Sequence, residues 1–411
     1  MEAITVIEHE DLPVIRTRSP GLKALSEEHA SALLRLEKKL PAGTFFKGYR
    51  GVKFSQYCGI IALGNLTIEI LPKIYGKEDE PGACRKALIT MLARARKLKI
   101  QRGGAAGIAL QKNILLDVFI LDFCSQVNAE IMQGMISSYV ERDENLNVLR
   151  GRLQLEKQFK HNLAHRERLC CRYDELSVDN AHNQVIKYVL WLMRKAAKGE
   201  WAGKQVSELL MRFDSVSDTT ADLRTIDSLT FNRSTSRYKQ IFNQCRWFVQ
   251  GLHPDVLVGH NSCMTLLFDM NRLFESYVSG VFRKSAWMSG KKLRLQGPQK
   301  HMVRRIDRDK QLFLMRPDMV FLDSNNRSEA IMDAKWKILD EREKKLGISQ
   351  ADLYQMAGYA MRYGIDNLAL VYPKQQRLQN EVDLEIQGTA AKLKVIPMDV
   401  TNPKLQAELP F

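Results

Sequence analysis

Residues 316–335 read RPDMVFLDSNNRSEAIMDAK, and this stretch decides how the carboxy-terminal part of the chain folds. Residues 318–322 and 330–335 are two mostly apolar runs, which predict strands, and the polar residues 323–326 between them predict a tight turn. A further apolar run at residues 311–314 predicts a strand just before this pair. The stretch therefore predicts a β-hairpin within a larger sheet.

Three ionisable side chains of this hairpin indicate chemistry. Asp333 and Lys335 lie on one strand face because side chains two positions apart point the same way, and Asp318 comes from the neighbouring strand. Carboxylate oxygens bind hard cations such as Mg²⁺, and a bound ion activates water and shields charge on a phosphodiester, while an ammonium steadies the developing negative charge. The pattern predicts a metal-dependent nuclease site.

A structural salt bridge is the alternative interpretation. The chain contains 62 Lys and Arg and 47 Asp and Glu, so short acid–lysine patterns also arise by chance. The nuclease interpretation is favoured because Asp333 lies inside an apolar run, where a charge needs a partner or a metal.

Residues 265–284 predict a helix that precedes the hairpin. Its apolar stripe consists of Leu267, Met270, Phe274, Val278 and Val281. Glu275 lies about a quarter-turn from this stripe, since successive helical residues are rotated by about 100°. From this border Glu275 can reach a sheet edge as a further metal ligand or remain a solvated carboxylate, and the spacing leaves both open.

A second helix is predicted after the hairpin, at residues 350–364. The run Ser349–Asp352 is a capping-box pattern, and Gly364 is a typical helix end. Gln355 and Tyr359 are four positions apart and therefore share a face. They are candidates to hydrogen-bond the lysine, a nucleotide phosphate or a base, and the alternative is that they are ordinary surface residues.

Two motifs resemble known nuclease elements. Residues 316–318 with residues 333–335 resemble the PD-(D/E)xK nuclease motif, and residues 355–359 resemble the QxxxY element of a subset of that superfamily. Together with Asn271–Glu275, these motifs are similar to the McrC family, the nuclease subunits of modification-dependent McrBC restriction systems. Residues 59–74 are similar to the amino-terminal region of the same family, so the resemblance spans most of the chain.

The resemblance implies a fold, a site and a partner. The implied fold is a restriction-endonuclease-like mixed sheet flanked by helices. The implied catalytic residues are Asp318, Asp333, Lys335, Gln355 and Tyr359, and the implied ligands of Mg²⁺ or Mn²⁺ are Glu275, Asp318 and Asp333. The partner would be an AAA+ GTPase of the McrB type, which recognises modified cytosine and translocates DNA. In that family the amino-terminal portion docks on the GTPase and stimulates it.

Composition agrees with a nucleic-acid partner. The chain has 411 residues, a net charge of +15 and a pI near 9.4. This length predicts two or three domains, and the basic balance predicts an anionic partner, most commonly nucleic acid. Basic residues cluster at positions 94–102, 291–294 and 304–310. The last two clusters precede the candidate acids, where a phosphate backbone would have to pass.

Cysteine usage and hydropathy predict a cytoplasmic protein without a membrane segment. The seven cysteines form no Cys-x-x-Cys pair and no zinc-ligand spacing, which is typical of a reducing compartment. The start of the chain lacks the basic and apolar segments of a secretory leader. Apolar runs stay short of the ~20 residues that a membrane helix needs. Histidines 161, 165 and 182 form no metal-binding set.

A nucleotide-binding loop is absent from the sequence. No Gly-x-x-x-x-Gly-Lys-Ser/Thr occurs, so the phosphate-binding loop of the common NTPases is missing. The glycine-rich run Gly103–Gly107 lacks the lysine and hydroxyl at the required spacing and is predicted to be a flexible connector. The absence is consistent with a separate GTPase partner.

Along the chain, the pattern predicts an α/β and α+β multidomain protein in three parts. Residues 1–105 would be a small α+β domain, residues 106–260 a mainly helical middle region, and residues 261–411 the nuclease domain. The resemblance implies that residues 1–105 dock on the partner. The elements predicted within them are a helix at 26–39 capped by Ser26, a small sheet at 45–74, helices at 114–132 and 185–193, loops at 141–147 and 215–221, a strand at 367–372 and an edge strand at 393–396.

The predicted function is that of a DNA endonuclease subunit in a modification-dependent restriction system, of the 5-methylcytosine type. Two other classes stay open at this point. A stand-alone repair or recombination nuclease would share the acids and the lysine, and the amino-terminal resemblance argues against it. A mainly non-catalytic activator of the GTPase would not need the site, and the intact Asp318, Asp333 and Lys335 argue against it.

Overall fold

The chain leaves its first structural unit at residue 115 and returns to it at residue 253. In the computed structural model, unit 1 comprises Met1–Leu115 and His253–Phe411, and unit 2 comprises Leu116–Leu252. The structure describes residues 2–96, 115–165, 167–258, 261–337, 347–375 and 378–401. The predicted connector Gly103–Gly107 lies outside the described residues.

Within its described residues, unit 1 combines helices with four sheets. Its helices are α1 (Glu27–Leu36), α2 (Pro81–Arg96), α9 (Met270–Met288) and α10 (Gln350–Tyr363). Its amino-terminal strands are β1 (Glu2–Ile7), β2 (Asp11–Ile15), β3 (Leu25–Ser26), β4 (Phe45–Lys47), β5 (Gly51–Phe54), β6 (Tyr57–Leu63) and β7 (Leu66–Leu71). Its later strands are β11 (Leu252–Val258), β12 (Asn261–Asp269), β13 (Lys292–Leu295), β14 (Lys300–Arg305), β15 (Lys310–Met315), β16 (Met319–Leu322), β17 (Ser328–Ala334), β18 (Asn367–Pro373), β19 (Val382–Glu385) and β20 (Lys392–Met398).

The described part of unit 2 is a set of helices with one three-stranded sheet. Its helices are α3 (Leu115–Ile131), α4 (Leu155–His161), α5 (Ala181–Ala196), α6 (Glu200–Arg212), α7 (Leu223–Asp227) and α8 (Lys239–Gln250), with a 3₁₀ turn at Ser236–Tyr238. Its strands are β8 (Ser138–Leu146), β9 (Arg152–Leu153) and β10 (Leu169–Ser177), in the order β8-β10-β9. The helices predicted at 114–132 and 185–193 are confirmed.

The amino-terminal and carboxy-terminal parts of the chain share one sheet. Its strand order is β1-β7-β6-β12-β11, and β12 runs antiparallel to β6 with Met264 opposite Ala62. Gly59 makes this approach possible, because a Cβ at that position would lie 1.9 Å from the carbonyl oxygen of Leu266. Residues 1–105 therefore do not form a structural unit separate from residues 261–411, which differs from the predicted three-part division.

The second large sheet of unit 1 has the order β13-β16-β17-β18-β20-β19. Strands β17, β18 and β20 are parallel, whereas β13, β16 and β19 pair antiparallel with their neighbours. The connection from β17 to β18 passes through α10. The face of this sheet that packs in the core is apolar and includes Val320, Ile331, Leu370 and Val395. The mixed α/β multidomain fold is thereby confirmed.

Capping patterns in the sequence correctly predicted where α1 and α10 begin. The side chain of Ser26 accepts a hydrogen bond from the backbone nitrogen of His29 at the start of α1. The side chain of Ser349 accepts one from the backbone nitrogen of Asp352 at the start of α10, and Gly364 ends that helix in the left-handed conformation. Short-range capping patterns are therefore sufficient to place these ends.

Three sequence predictions were wrong. Residues 265–269 belong to β12 and not to the following helix, which begins after Asp269, because buried residues at 264, 266 and 268 also fit a strand period that pairs with β6. Residues 141–146 are strand, because the exposed β8 is polar yet pairs with β10. Residues 393–396 lie in β20, which is not an edge strand, because β19 covers it.

The remaining global predictions concern cysteines and membranes. All seven cysteines are free and buried. Among the helices that the structure describes, none is long and apolar enough to cross a membrane.

Candidate functional site

The candidate acids Asp318 and Asp333 meet where β16 and β17 pair. Met319 lies opposite Met332 in this antiparallel pair, so Asp318 just before β16 approaches the end of β17. The backbone nitrogen of Ala334 donates a hydrogen bond to Asp318 Oδ2 at 2.9 Å. The main chain of the Asp-Ala-Lys motif therefore orients the first acid directly.

Asp333 is the most buried acid of the site, with 1% of its surface exposed. Its Oδ2 lies 2.6 Å from Lys335 Nζ, and its Oδ1 accepts a 3.3 Å hydrogen bond from Gln355 Nε2. Apart from this ion pair, Oδ2 has no hydrogen-bond partner among the residues that the structure describes. A buried carboxylate oxygen thus keeps acceptor capacity in the centre of the site.

Lys335 begins a chain of hydrogen bonds that runs along α10. Its Nζ donates to Gln355 Oε1 at 2.9 Å, and Gln355 Nε2 donates to Tyr359 Oη at 2.8 Å. The predicted shared face of Gln355 and Tyr359 is confirmed, and it faces the lysine. Tyr359 is 2% exposed, so it is not an ordinary surface residue.

Gln296 is a site residue that the sequence did not single out. It follows β13, and its Nε2 lies between two carboxylates, donating to Glu275 Oε1 and to Asp318 Oδ1, the latter at 3.2 Å. Its backbone nitrogen donates to the carbonyl oxygen of Asp318 at 3.0 Å, and its φ is +54°. One glutamine in a basic segment offers no sequence signal, because its role depends on two acids distant in the chain.

Burial and like charge shape the electrostatics of the acids. Burial, and then the carboxylates of Asp333 and Glu275, raise the pKa of Asp318 to about 7. Burial raises the pKa of Asp333. Burial is also the largest cause of the raised pKa of Glu275. Burial opposes the charged form of Lys335, but the carboxylates of Asp333, Asp318 and Asp352 together outweigh burial, so the pKa of Lys335 is raised. The site therefore favours additional positive charge near its acids.

The residues fit a hard cation only in part. The donor set consists of carboxylate oxygens, which suit Mg²⁺ or Mn²⁺, and Asp333 Oδ2 is a buried acceptor whose partner among the described residues is the Lys335 ammonium. Among the residues that the structure describes, no three His, Cys, Asp or Glu side chains are grouped closely enough to hold a metal ion. Glu275 is joined to Asp318 through Gln296, so the predicted three ligands do not form a ready-made carboxylate triad.

Comparison with known proteins identifies the family. Residues 52–373, more than half of the chain, match the family described as "McrBC 5-methylcytosine restriction system component". The chain belongs to the McrBC family. The predicted family resemblance is thereby confirmed. No curated protein matches this McrBC-family chain.

Two solved structures share the fold of this McrBC-family chain. One is from the "tetradecameric assembly of Thermococcus gammatolerans McrB AAA+ hexamers with bound McrC", with 18% identity, a TM-score of 0.76, and coverage of 98% of this chain and 97% of that chain. The other is from the cryo-EM structure of the Thermococcus gammatolerans McrBC complex, with 23% identity, a TM-score of 0.55, and coverage of 69% and 88%.

In this McrBC-family chain, the amino-terminal segment also supports the candidate site. Glu8 is 3% exposed, and its carboxylate accepts hydrogen bonds from Trp336 Nε1 and from the backbone nitrogen of Gln56, each at 3.1 Å. Trp336 directly follows Lys335, and its ring lies edge-on to Phe274 at 5.4 Å between centroids. An acid after an apolar strand is too common to reveal such a role from the sequence.

Proposed function

We propose that this chain is the endonuclease subunit of a modification-dependent restriction system, with a PD-(D/E)xK nuclease site. It would hydrolyse DNA phosphodiester bonds with Mg²⁺ or Mn²⁺. The observation that carries this proposal is the buried Asp333 carboxylate with the Lys335 ammonium at 2.6 Å and Asp318 beside it. Membership in the McrBC 5-methylcytosine restriction family supports the same chemistry.

The three acids have a common proposed role. Asp318 and Asp333 would hold the cation, and Glu275 would bind it or orient its water. When bound, such an ion lowers the pKa of its water and neutralises charge on the phosphate. The raised pKa of Asp318 and of Glu275 supports this role, because a cation would remove the repulsion that now disfavours their ionised forms.

Lys335 would stabilise negative charge as the phosphodiester reacts. Gln355 accepts a hydrogen bond from its ammonium and thereby fixes its direction, and Tyr359 in turn holds the amide of Gln355. A lysine held at two points loses little freedom during the reaction, which is the physical advantage of this arrangement.

The proposed partner is a McrB-like AAA+ GTPase acting on DNA that contains modified cytosine, in the cytoplasm. A similar solved structure is an assembly of McrB AAA+ hexamers with bound McrC, and this chain lacks a phosphate-binding loop of its own. Docking is proposed for residues 1–105. Because these residues share a sheet with β12, a partner bound there would act directly on the unit that contains the acids.

The test is DNA cleavage by the full chain together with a McrB homologue, GTP, Mg²⁺ and a plasmid carrying 5-methylcytosine. Wild type should cleave only with the partner, and Lys335→Ala should lose cleavage while it still stimulates GTP hydrolysis. Lys392→Ala removes an exposed lysine from β20 of the same sheet and is the matched control.

The same assay separates the alternatives. Cleavage without any partner or GTP would indicate a stand-alone nuclease. Stimulation of GTP hydrolysis by a wild-type chain that never cleaves would indicate a non-catalytic activator. Either result would contradict the proposed function.

A further inference from the structure

A two-stranded ribbon projects from unit 1 immediately before the candidate acids. It consists of β14 and β15, which pair with each other as a separate sheet. Every residue from 303 to 311 is exposed, so the outer half of the ribbon has both faces open. An isolated two-stranded ribbon is only marginally stable in water, so a bound partner would stabilise the exposed part of this one.

The ribbon combines positive charge with exposed apolar side chains. Residues 300–315 contain five Lys or Arg and two Asp, a net charge of +3. Ile306 at the tip is 89% exposed, and Phe313 is 74% exposed with a φ of +54°. A large aromatic residue rarely adopts positive φ or such exposure, and both features together are typical of a functional surface.

The base of the ribbon is attached firmly to α10. Tyr363 Oη donates to the carbonyl oxygen of Pro298 at 2.6 Å, and Arg362 Nε donates to the carbonyl oxygen of His301 at 2.7 Å. The chain then passes from Met315 to Asp318 within three residues. A ligand that contacts the base of the ribbon would therefore lie near Asp318.

We propose that the β14–β15 ribbon binds the DNA duplex beside the scissile phosphate by entering its major groove. The inference rests on the proposed function and identifies the surface that holds its substrate. Six residues per strand extend about 20 Å, and a major groove about 12 Å wide admits a two-stranded ribbon. At about 3.4 Å per base pair, the ribbon would follow roughly six base pairs.

Existing ion pairs at the tip do not oppose DNA binding. Arg304 lies 3.4 Å from Asp309, Arg305 donates two hydrogen bonds to Asp307 at 2.6 and 2.7 Å, and Arg308 lies 3.8 Å from Asp307. These side chains are 47% to 79% exposed, and exposed pairs contribute little free energy, so phosphate groups can replace the aspartates. Phe313 would contact base edges or the groove wall, where apolar surface is removed from water.

The first experiment measures how salt affects DNA binding. The full chain, in EDTA to prevent cleavage, is titrated into a fluorescent 30-base-pair duplex at several KCl concentrations from ~50 to ~200 mM. Replacing Arg304, Arg308 and Lys310 by Ala should reduce the slope of log K against log[KCl] by roughly 2 to 3, since each phosphate contact contributes about 0.9.

The matched control replaces three exposed basic residues of unit 2, Lys204, Arg224 and Arg233, by Ala. The control has the same change in net charge, so it should leave the slope close to that of wild type. An unchanged slope in the ribbon variant, or an equal loss in the control, would overturn the proposal.

A second variant tests the apolar contact. Phe313→Ala should weaken binding at every salt concentration while leaving the slope unchanged, because it removes no phosphate contact. Wild-type affinity of this variant would overturn insertion into the groove. The binding titration also separates failure of this proposal from failure of the proposed function. A chain that never cleaves DNA can still lose salt-dependent binding when the ribbon is altered.

Discussion

Replacing Asp318 by Asn should stabilise unit 1 at neutral and alkaline pH while abolishing DNA cleavage. Burial and the carboxylates of Asp333 and Glu275 raise the pKa of Asp318 from 3.8 to about 7. The folded chain therefore binds this proton more tightly than the unfolded chain does. Asparagine cannot ionise, and its carbonyl oxygen can still accept the hydrogen bond from the Ala334 nitrogen. Its amide nitrogen then replaces the oxygen that accepts the 3.2 Å bond from Gln296, a loss that does not depend on pH.

The sign and size of the effect follow from proton linkage. Below pH 3.8 the carboxyl group is protonated in both states, and stability is unaffected. As the pH rises to about 7, the unfolded chain loses the proton first, so the free energy of unfolding falls. At 1.36 kcal/mol per pKa unit, the full cost above pH 7 is roughly 4 kcal/mol. The gain from Asp318→Asn should be roughly 2 kcal/mol larger at pH 8 than at pH 5.5.

The assay is urea unfolding of wild type, Asp318→Asn and Asp323→Asn in EDTA at pH 5.5 and at pH 8. Asp323 lies in the turn between β16 and β17 and controls for the loss of one carboxylate from the hairpin. Adding Mg²⁺ should then stabilise wild type, by about 2.7 kcal/mol at a hundredfold excess over Kd, but not Asp318→Asn. If the gain of Asp318→Asn did not grow between pH 5.5 and pH 8, the electrostatic reasoning would be refuted. Cleavage by Asp318→Asn would refute the site.

Three further predictions follow from the site. Lys335→Ala should reduce the single-turnover cleavage rate by ~10²–10³, the usual cost of losing one charge-stabilising donor, with secondary structure by circular dichroism as a control. Gln296→Ala should shift the acidic limb of the pH–rate profile to higher pH, because its amide lowers the pKa of Glu275, and an unshifted limb would contradict this positioning role. Glu8→Ala should cost about 1–3 kcal/mol for each buried donor that it leaves without an acceptor, and a melting temperature equal to wild type would show that the bond to Trp336 is not formed.

The structure also changes what a truncation should do. If residues 261–411 were a separate nuclease domain, as the sequence predicted, a chain lacking residues 1–105 would keep its nuclease fold. That deletion removes β6, which pairs with β12, and Glu8, which holds Trp336. We therefore expect the truncated chain to misfold, and soluble protein with an intact thermal transition would contradict this expectation.

Sequence patterns were sufficient for the parts of the site that depend on neighbours in the chain. The turn at residues 323–326 and the strand period place Asp318 near Asp333 and Lys335. The helical repeat places Gln355 and Tyr359 on one face. These relations extend over about twenty residues or fewer, so local geometry determines them.

Patterns were insufficient wherever two local structures suited the same residues. The apolar residues at 266–268 are compatible with a helix or a strand, and the pairing of β12 with β6 selects the strand. The polar residues of β8 resemble a loop in the sequence, because a largely exposed strand has no alternating buried face.

Sequence patterns were enough to predict the helix caps at Ser26 and Ser349, the hairpin that brings the candidate acids together, and the family resemblance. Only the tertiary structure placed Gln296 between two carboxylates and Glu8 beneath Trp336, and only it joined the two ends of the chain in one unit. The physical reason is that a hydrogen bond spanning 328 positions leaves no local periodicity, because its partners are chosen by the packing of the sheets between them.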